Sequence, residues 1–144
     1  TLRLSRVDRL RQEDSLHLVW PGGGAGALAF SSARGEDFSR ETNADMLLVL
    51  TLKVDAAPDS GMNVIAHCGT DCKGSVALEA ALRSLPAGQW QRVGVPLKCF
   101  AETGANMGQR ITRLELESAG RADVTLHRAA LGTDVDWRGE CASR

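Results

Sequence analysis

The sequence predicts an all-β domain, an antiparallel β-sandwich of jelly-roll type. Apolar and polar residues alternate with a period of two in about eight short segments, the pattern of half-buried strands. The breaks between several segments carry Gly, Pro, Asn or Asp, as in "PGGGAG" and "ETGANMG". Only one stretch could hold a helix, so two packed sheets are favoured over any helical architecture.

The predicted strands follow one another along the whole chain. They are "LRLSRV", "SLHLVW", "GALAFSS", "MLLVLTLKV", "MNVIAHC", "QRVGVPL", "ITRLELE" and "ADVTLHRAAL". In the fourth, Leu48, Leu50, Leu52 and Val54 share one face, while the other face turns from apolar to polar along the strand. A strand of this kind is typical of the centre of a sandwich.

The stretch "GQWQRVGVPLKCF", residues 88–100, contains a strand that opens with an aromatic residue. Val93 and Val95 share one face, and Trp90 and Arg92 share the other. Pro96 cannot donate a ladder hydrogen bond, so we expect an edge strand or one-sided pairing there.

A helical turn and a patternless tail complete the domain organisation. Within "SVALEAALRSLPAG" we expect a single helical turn from Glu79 to Ser84. We divide the chain into a sandwich over residues 1–132 and a tail over residues 133–144, which should be loose unless Cys141 or Trp137 ties it down.

Charge and hydropathy exclude two classes of partner. The 17 basic and 18 acidic residues give a net charge of −1 and are spread without a basic stripe, which argues against nucleic acid. Runs such as "MLLVL" are far too short to span a bilayer, so no membrane partner is expected. The chain opens at Thr1 directly in a strand pattern, and we expect it to be a piece of a longer protein.

The four cysteines indicate an oxidising compartment. "CGTDC" places three residues between Cys68 and Cys72, whereas a thioredoxin-like redox pair has two. A small structural disulfide between these two residues is the favoured interpretation. Cys99, in "PLKCF", could equally be a buried apolar thiol, and the pairing of the remaining cysteines stays open.

No metal site is predicted. His17, His67 and His127 are scattered singly, and His17 and His127 are expected on outer strand faces. The loop segments "QED" (12–14) and "GED" (35–37) could cap, turn or bind calcium, so structural calcium is the one cofactor left open.

The sequence predicts no catalytic residues. It lacks a G-x-S-x-G elbow, a phosphate loop, H-E-x-x-H and a dinucleotide fingerprint. A glycosidase needs two suitably spaced carboxylates, but Glu115 and Glu117 alternate with Leu114 and Leu116 and should project from one solvated strand face.

The aromatic residues suggest sugar binding, because aromatic rings stack on the apolar faces of pyranoses. Trp90 shares a face with Arg92, and neighbouring strands could add Thr51, Lys53, Asn63, His67, Arg113 and Glu115. The alternative is that Trp90 covers the end of the core. Trp20, directly before "PGGG", is comparably placed, and so is Trp137 if the tail folds back.

Several motifs together resemble one known module. They are "RQEDSLHLVW", "DFSRETNADMLLVLTLKVDAAPDSG", "CGTDC", "GQWQRVGVPLKCF", "TGANM" and "VTLHRAAL". Their order and spacing over residues 5–132 are similar to the C-terminal β-sandwich of bacterial exo-1,3/1,4-β-glucanases and β-glucosidases of glycoside hydrolase family 3. The matched positions are Asp14, Trp20, Asp37, Arg40, Trp90, Cys68, Cys72 and Cys99.

The resemblance implies a galactose-binding-domain-like jelly roll that is secreted or periplasmic and has no catalytic residues of its own. It implies two partners, the catalytic domains of a parent hydrolase and, weakly, a β-glucan oligosaccharide. The resemblance itself assigns no ligand residues. From the strand faces and the aromatic positions, the candidate ligand residues are Trp90, Arg92, Trp20, His67 and Arg113. The alternative is a purely structural domain that docks on the catalytic domains without sugar affinity.

Overall fold

The chain forms two β-sheets that enclose the apolar core. The computed structural model describes residues 2–12, 14–108 and 110–141. The strands in this part are β1 (Arg3–Val7), β2 (Ser15–Pro21), β3 (Gly26–Glu36), β4 (Leu47–Ala56), β5 (Met62–His67), β6 (Lys73–Ala77), β7 (Trp90–Pro96), β8 (Ile111–Ser118), β9 (Arg121–Gly132) and β10 (Trp137–Arg138). The helices are α1 (Ser39–Asn43), α2 (Glu79–Ser84) and α3 (Leu97–Glu102).

The order of the strands is that of a jelly roll. One sheet has the order β1-β2-β9-β4-β7-β10 and the other β3-β8-β5-β6. Strands β2 to β9 make the eight-stranded double sheet, while β1 and β10 extend the two edges of the larger sheet. Every strand pair is antiparallel except β7 with β10. The predicted all-β jelly roll is therefore confirmed.

Side chains that alternate between inward and outward along the central strands build the core. The side chains that point inward are each at most 4% exposed. They are Leu48, Leu50, Leu52 and Val54 on β4, and Met62, Val64 and Ala66 on β5. Fully burying side chains of this size contributes about 1.5–3 kcal/mol each before the entropy of ordering the chain is subtracted. The two inner faces, taken together, are the main source of stability.

The helices are short and sit at the ends of strands. Helix α2 has the bounds expected from the sequence, Glu79–Ser84. Helix α3 begins at Leu97, directly after Pro96, so the predicted strand ends one residue earlier than expected. This helix packs on β6, where a Cβ at Gly74 would lie 2.1 Å from the carbonyl oxygen of Phe100. Only glycine permits that approach.

The sequence pattern missed β6 and β10. The segment of β6, "KGSVA", is short and glycine-containing, so its alternation is too weak to recognise. Two residues, Trp137 and Arg138, pair in parallel with Val93 and Gly94 of β7. Pro96 pairs only with Leu47 of β4, which confirms one-sided pairing at that proline.

Two disulfides connect the four cysteines. Cys68 and Cys72 close a tight turn in which the Cys68 N–H donates to the Cys72 carbonyl at 2.8 Å, so the predicted bridge is confirmed. Cys99 pairs with Cys141 rather than remaining a buried thiol. The C-terminal tail is thus held at two points, by Trp137 in β10 and by the disulfide of Cys141. In the part of the chain that the structure describes, no helix is long and apolar enough to cross a membrane.

The disulfide that spans more chain should contribute more to stability. Its cysteines are 42 residues apart, against 4 for the other pair. Loop-closure entropy then predicts losses of about 4 kcal/mol for Cys99→Ala/Cys141→Ala and about 2 kcal/mol for Cys68→Ala/Cys72→Ala. Urea unfolding of both double variants measures the difference. Equal losses, or a larger loss for the short loop, would show that Cys99–Cys141 does not anchor the tail.

Candidate functional site

The outer face of the larger sheet carries a cluster of cations around one tryptophan. Trp90 opens β7 and pairs with Lys53 of β4, so alternation points both side chains outward. The guanidinium of Arg9 lies 4.8 Å from the centre of the Trp90 ring and the Lys53 ammonium 5.6 Å from it. His127 meets the same ring edge-on, with 6.2 Å between centroids and 78° between planes. We call these four residues the Trp90 cluster.

Asp14 holds the loop that brings Arg9 to the ring. One carboxylate oxygen accepts the N–H of Arg9 at 2.7 Å, and the other accepts those of Leu10 and Arg11 at 3.0 Å each. Loss of solvation is the largest single influence and acts to raise the pKa of Asp14. These N–H groups, with the Ser15 hydroxyl, together outweigh it and lower the pKa of Asp14 to about 2.

A bulge in β9 directs His127 toward the same loop. The register against β4 passes from Leu126 opposite Leu52 to Arg128 opposite Thr51, which leaves His127 as the extra residue. Its Nδ1 is 3.1 Å from the Ser15 hydroxyl and 3.7 Å from an Asp14 carboxylate oxygen. The imidazole therefore connects Trp90 with the Asp14 loop.

An edge cavity of about 380 Å³ opens beside this bulge. Its lining residues are Arg6, Asp14, Ser15, Leu16, Phe30, Leu114, Leu126, His127, Arg128 and Ala129. Phe30 is 40% exposed although its strand position directs it inward, because β3 is the outermost strand of its sheet. Half of these residues are apolar and half are polar or charged, a combination that can hold a small ligand, and the volume lies in the range of small-ligand sites.

Arg92 lies on the predicted outer face but is occupied by the C-terminal segment. Its guanidinium donates to Asp134 at 2.7 Å and lies 3.6 Å from Asp136. The hydrogen bond to Asp134, followed by the charges of both carboxylates, raises the pKa of Arg92. Its backbone N–H also donates to Asp136 at 2.8 Å. Arg92 therefore holds the C-terminal segment and is not free to contact a ligand without releasing Asp134.

The prediction that Trp20 offers a ring to a ligand is corrected by its burial. The side chain is 1% exposed and lies in the core, where its Nε1 donates to the Gly26 carbonyl at 2.8 Å. Alternation on β2 directs Trp20 inward together with Leu18, and the following turn folds over the indole.

His67 and Arg113 lie on the outer face of the other sheet, so the predicted single surface is corrected to two. They pair in register on β5 and β8, and both contact Glu115. The chain crosses from one sheet to the other between β4 and β5. Alternation distinguishes inward from outward residues but does not indicate which sheet a strand joins.

Four contributors to the site were not recognised as such from the sequence. Arg9, Asp14, Phe30 and His127 surround the edge cavity or Trp90, and only His127 was expected to face outward, which the structure confirms. The signal for Asp14 was its position after a turn-forming segment, because aspartate accepts the free N–H groups of tight turns. Asp37 does the same for the N–H of Ser39 at 2.9 Å, and that hydrogen bond lowers the pKa of Asp37.

One group of side chains in the described part of the chain could share a metal ion. It consists of His17, Asp55 and Asp123, whose ligand atoms all lie within 4.8 Å of one another. All three stand on the outer face of the larger sheet, on β2, β4 and β9. His17 was expected on an outer face, and this is confirmed.

The order of the strands in the two sheets defines the chain as a jelly-roll β-sandwich domain. It belongs to the Exop_C family, which is described as galactose-binding domain-like and whose model matches residues 1–131. The resemblance inferred from the sequence motifs is thereby confirmed. No curated protein sequence matches the chain.

Solved structures share the fold at low sequence identity. The extra C-terminal domain of an exo-1,3/1,4-β-glucanase from a Pseudoalteromonas species is 19% identical, with a TM-score of 0.73 over 99% of this chain and 78% of that one. The exo-1,3/1,4-β-glucanase from the same organism is 20% identical in sequence, with a TM-score of 0.74 over 100% of this chain. This chain spans 17% of the length of that enzyme. An exo-β-agarase is 11% identical in sequence, with a TM-score of 0.67 over 94% of this chain and 23% of that one.

The low pKa of Asp14 predicts how the Trp90 cluster responds to acid. Because this pKa is lower in the folded chain than the ordinary value of 3.8, the ionised carboxylate stabilises the loop above about pH 4. That contribution is lost as the pH falls toward 2. The Trp90 indole NMR signal, assigned with Trp90→Phe, should show an acid transition with a midpoint near pH 2.

The variant Asp14→Asn provides the control, since its amide cannot titrate in this range. Its Trp90 signal should show no such acid transition. A wild-type midpoint near 3.8 would mean that the three N–H groups do not hold the carboxylate as the structure has them.

Proposed function

We propose that this chain is a non-catalytic accessory domain of a larger glycoside hydrolase of family 3, and that it binds β-glucan chains weakly. The Trp90 cluster and the edge cavity form the binding surface. The observation that carries the proposal is an outward tryptophan in contact with His127, a residue that also lines a cavity of mixed apolar and polar character.

The comparisons support the accessory role. Two of the matching structures carry the name of an exo-1,3/1,4-β-glucanase, and one of these is described as an extra C-terminal domain. Other matching structures carry the name of agarases, another class of polysaccharide hydrolase. A shared fold across two kinds of enzyme suits a domain that assists catalysis rather than performing it.

The geometry supports stacking as the binding mode. The ring of Trp90 can cover one apolar face of a pyranose, while His127 and Asp14 present polar atoms to hydroxyl groups. The guanidinium of Arg9 stands over the ring, so a sugar stacks there only after Arg9 moves aside. The cost of displacing a cation–π contact, about 0.5–1 kcal/mol at an exposed site, favours weak binding.

The arrangement of acidic residues supports the absence of catalysis. Glycoside hydrolysis uses two carboxyl groups on opposite sides of the scissile bond. Glu115 and Glu117 instead project from the same face of β8, and Glu115 is engaged by His67 and Arg113. The two disulfides suit an oxidising environment, so we propose a secreted or periplasmic location.

Oligosaccharide titration tests the binding proposal. Laminari- and cello-oligosaccharides should change the tryptophan fluorescence and the amide NMR shifts of the chain with millimolar midpoints, without hydrolysis of either sugar; the NMR shifts also report binding in variants without Trp90. Trp90→Ala should weaken binding by roughly 3- to 10-fold, the range expected when one aromatic stacking contact is lost. The matched control is His67→Ala on the other sheet, which should bind like the wild type.

Three results would contradict the binding proposal. They are no response to either sugar series at tens of millimolar, an equal loss in His67→Ala, and release of reducing sugar by the purified chain. Agaro-oligosaccharides belong in the same titration, because a stronger response to them would redirect the proposal from β-glucan to agarose.

Exposed apolar side chains favour docking on catalytic domains as a second function. Leu10 is 73% exposed in the loop that Asp14 holds, and Leu4 and Phe30 are also exposed, on the outermost strands β1 and β3. Exposed apolar residues mark an interaction surface when they form one patch, and we propose that these three residues contribute to such a patch against a catalytic domain. The cavity edge could then contact the parent enzyme instead of a sugar.

Leu10→Asp distinguishes docking from sugar binding. In the isolated chain it should change the unfolding free energy by less than about 0.5 kcal/mol, because the side chain is exposed. In the parent enzyme it should lower the thermal stability or activity, while sugar binding by the isolated chain stays unchanged. Parent enzyme carrying Leu10→Asp with unaltered stability and activity would argue against docking through this loop.

A further inference from the structure

Three side chains on neighbouring strands of the larger sheet converge on one point outside it. His17 comes from β2, Asp123 from β9 and Asp55 from β4, and these strands lie side by side. His17 is paired with Thr125 and Asp123 with Val19, so His17 and Asp123 are diagonal neighbours on one face. The His17 Nε2 lies 2.6 Å from an Asp123 carboxylate oxygen.

An irregularity in β4 brings the third residue to this pair. The register of β4 against β9 shifts between Val54, opposite Val124, and Ala56, opposite Asp123, which leaves Asp55 as the extra, unpaired residue. A bulge of this kind redirects a side chain and adds no pairing of its own. The Asp55 carboxylate thus lies beside Asp123 and His17 at the end of β4.

The two carboxylates of the group have His17 as their one ionisable partner among the described residues. No lysine or arginine within the described ranges forms an ion pair with Asp55 or Asp123. The side chains of His17 and Asp123 are each 33% exposed, and Asp55 is exposed. Two adjacent carboxylates with one imidazole and access to solvent form an attractive position for a cation.

The ligand types select the class of cation. Imidazole nitrogen with carboxylate oxygen suits zinc and similar transition metals, whereas calcium takes six to eight oxygen ligands. We propose that His17, Asp55 and Asp123 bind a divalent transition-metal ion, with Zn²⁺ preferred over Ca²⁺. Water would complete the coordination on the solvent side.

Small movements of partly exposed side chains would complete this geometry. Ligand atoms about 2.0–2.2 Å from a tetrahedral zinc ion stand about 3.3–3.6 Å apart. The His17 Nε2 and the Asp123 oxygen are now 2.6 Å apart, and all three ligand atoms lie within 4.8 Å of one another. Zinc would therefore replace the His17–Asp123 hydrogen bond, while the exposed Asp55 carboxylate turns inward without disturbing the core. The bound ion would connect three neighbouring strands and would therefore stabilise the folded chain over the unfolded one.

The three histidines allow the site to be located directly. Titration of the whole chain with ZnCl₂ should shift the imidazole NMR signals of His17 first, with His67 and His127 unaffected at the same metal concentration. At a zinc concentration a hundredfold above the dissociation constant, the melting temperature should rise by roughly 5–10 °C, and equimolar CaCl₂ should leave it unchanged. EDTA should reverse the zinc effect.

Variants separate this site from unspecific binding. Asp55→Asn should weaken zinc binding by about tenfold or more while leaving the melting temperature in EDTA unchanged, because the residue is exposed. In His17→Gln, zinc should no longer raise the melting temperature. The matched control is Asp45→Asn, an exposed aspartate close to the other end of β4, which should bind zinc like the wild type.

Several outcomes would overturn the proposal. Equal shifts of all three histidines would show unspecific surface binding, and equal losses in Asp55→Asn and Asp45→Asn would show the same. A melting temperature raised by calcium as much as by zinc would contradict the proposed ligand chemistry. These results are independent of the sugar titration, since no residue of the Trp90 cluster takes part.

Discussion

Burial of one side of each central strand between the two sheets is the constraint on which the rest of the structure depends. The inner residues of β4 and β5 are almost fully buried, and each position fixes its neighbours on the strand to the opposite side. A shift of one residue in the β4 register would exchange Leu50 for Thr51 in the core. The same constraint that stabilises the sandwich therefore places Lys53 and Trp90 on its surface.

Departures from this regular pairing create the features with potential function. The bulge at His127 directs an imidazole toward Ser15 and Trp90, and the shift at Asp55 brings a second carboxylate to Asp123. The outermost position of β3 leaves Phe30 without a covering strand. The side chains of the two proposed sites thus lie where the ladder is interrupted or the sheet ends.

Much of the fold could be predicted from the sequence because alternation is a local signal. The eight predicted strands, the turn at Glu79–Ser84 and the Cys68–Cys72 bridge are all present. The partner of Cys99 could not be predicted, since Cys141 lies in a segment without pattern and reaches it only because β10 pairs with β7. Spacing along the chain carries no information about that long-range contact.

The site was less predictable, because it depends on which strands become neighbours. Trp90 and Lys53 share a face because β4 and β7 pair, whereas His67 and Arg113 belong to the other sheet. Arg9 reaches the ring through a loop that one carboxylate holds, and no periodicity describes such a loop. The resemblance to a known module indicated the family but assigned none of these contacts.

Amide NMR shifts measured during addition of a laminari-oligosaccharide locate the sugar contact surface on the whole chain. Binding at the proposed surface should shift only the amide signals of the Asp14 loop, Trp90 and the bulge at His127, with the opposite sheet unchanged. Shifts centred on His67 and Arg113, or none at saturating sugar, would contradict it.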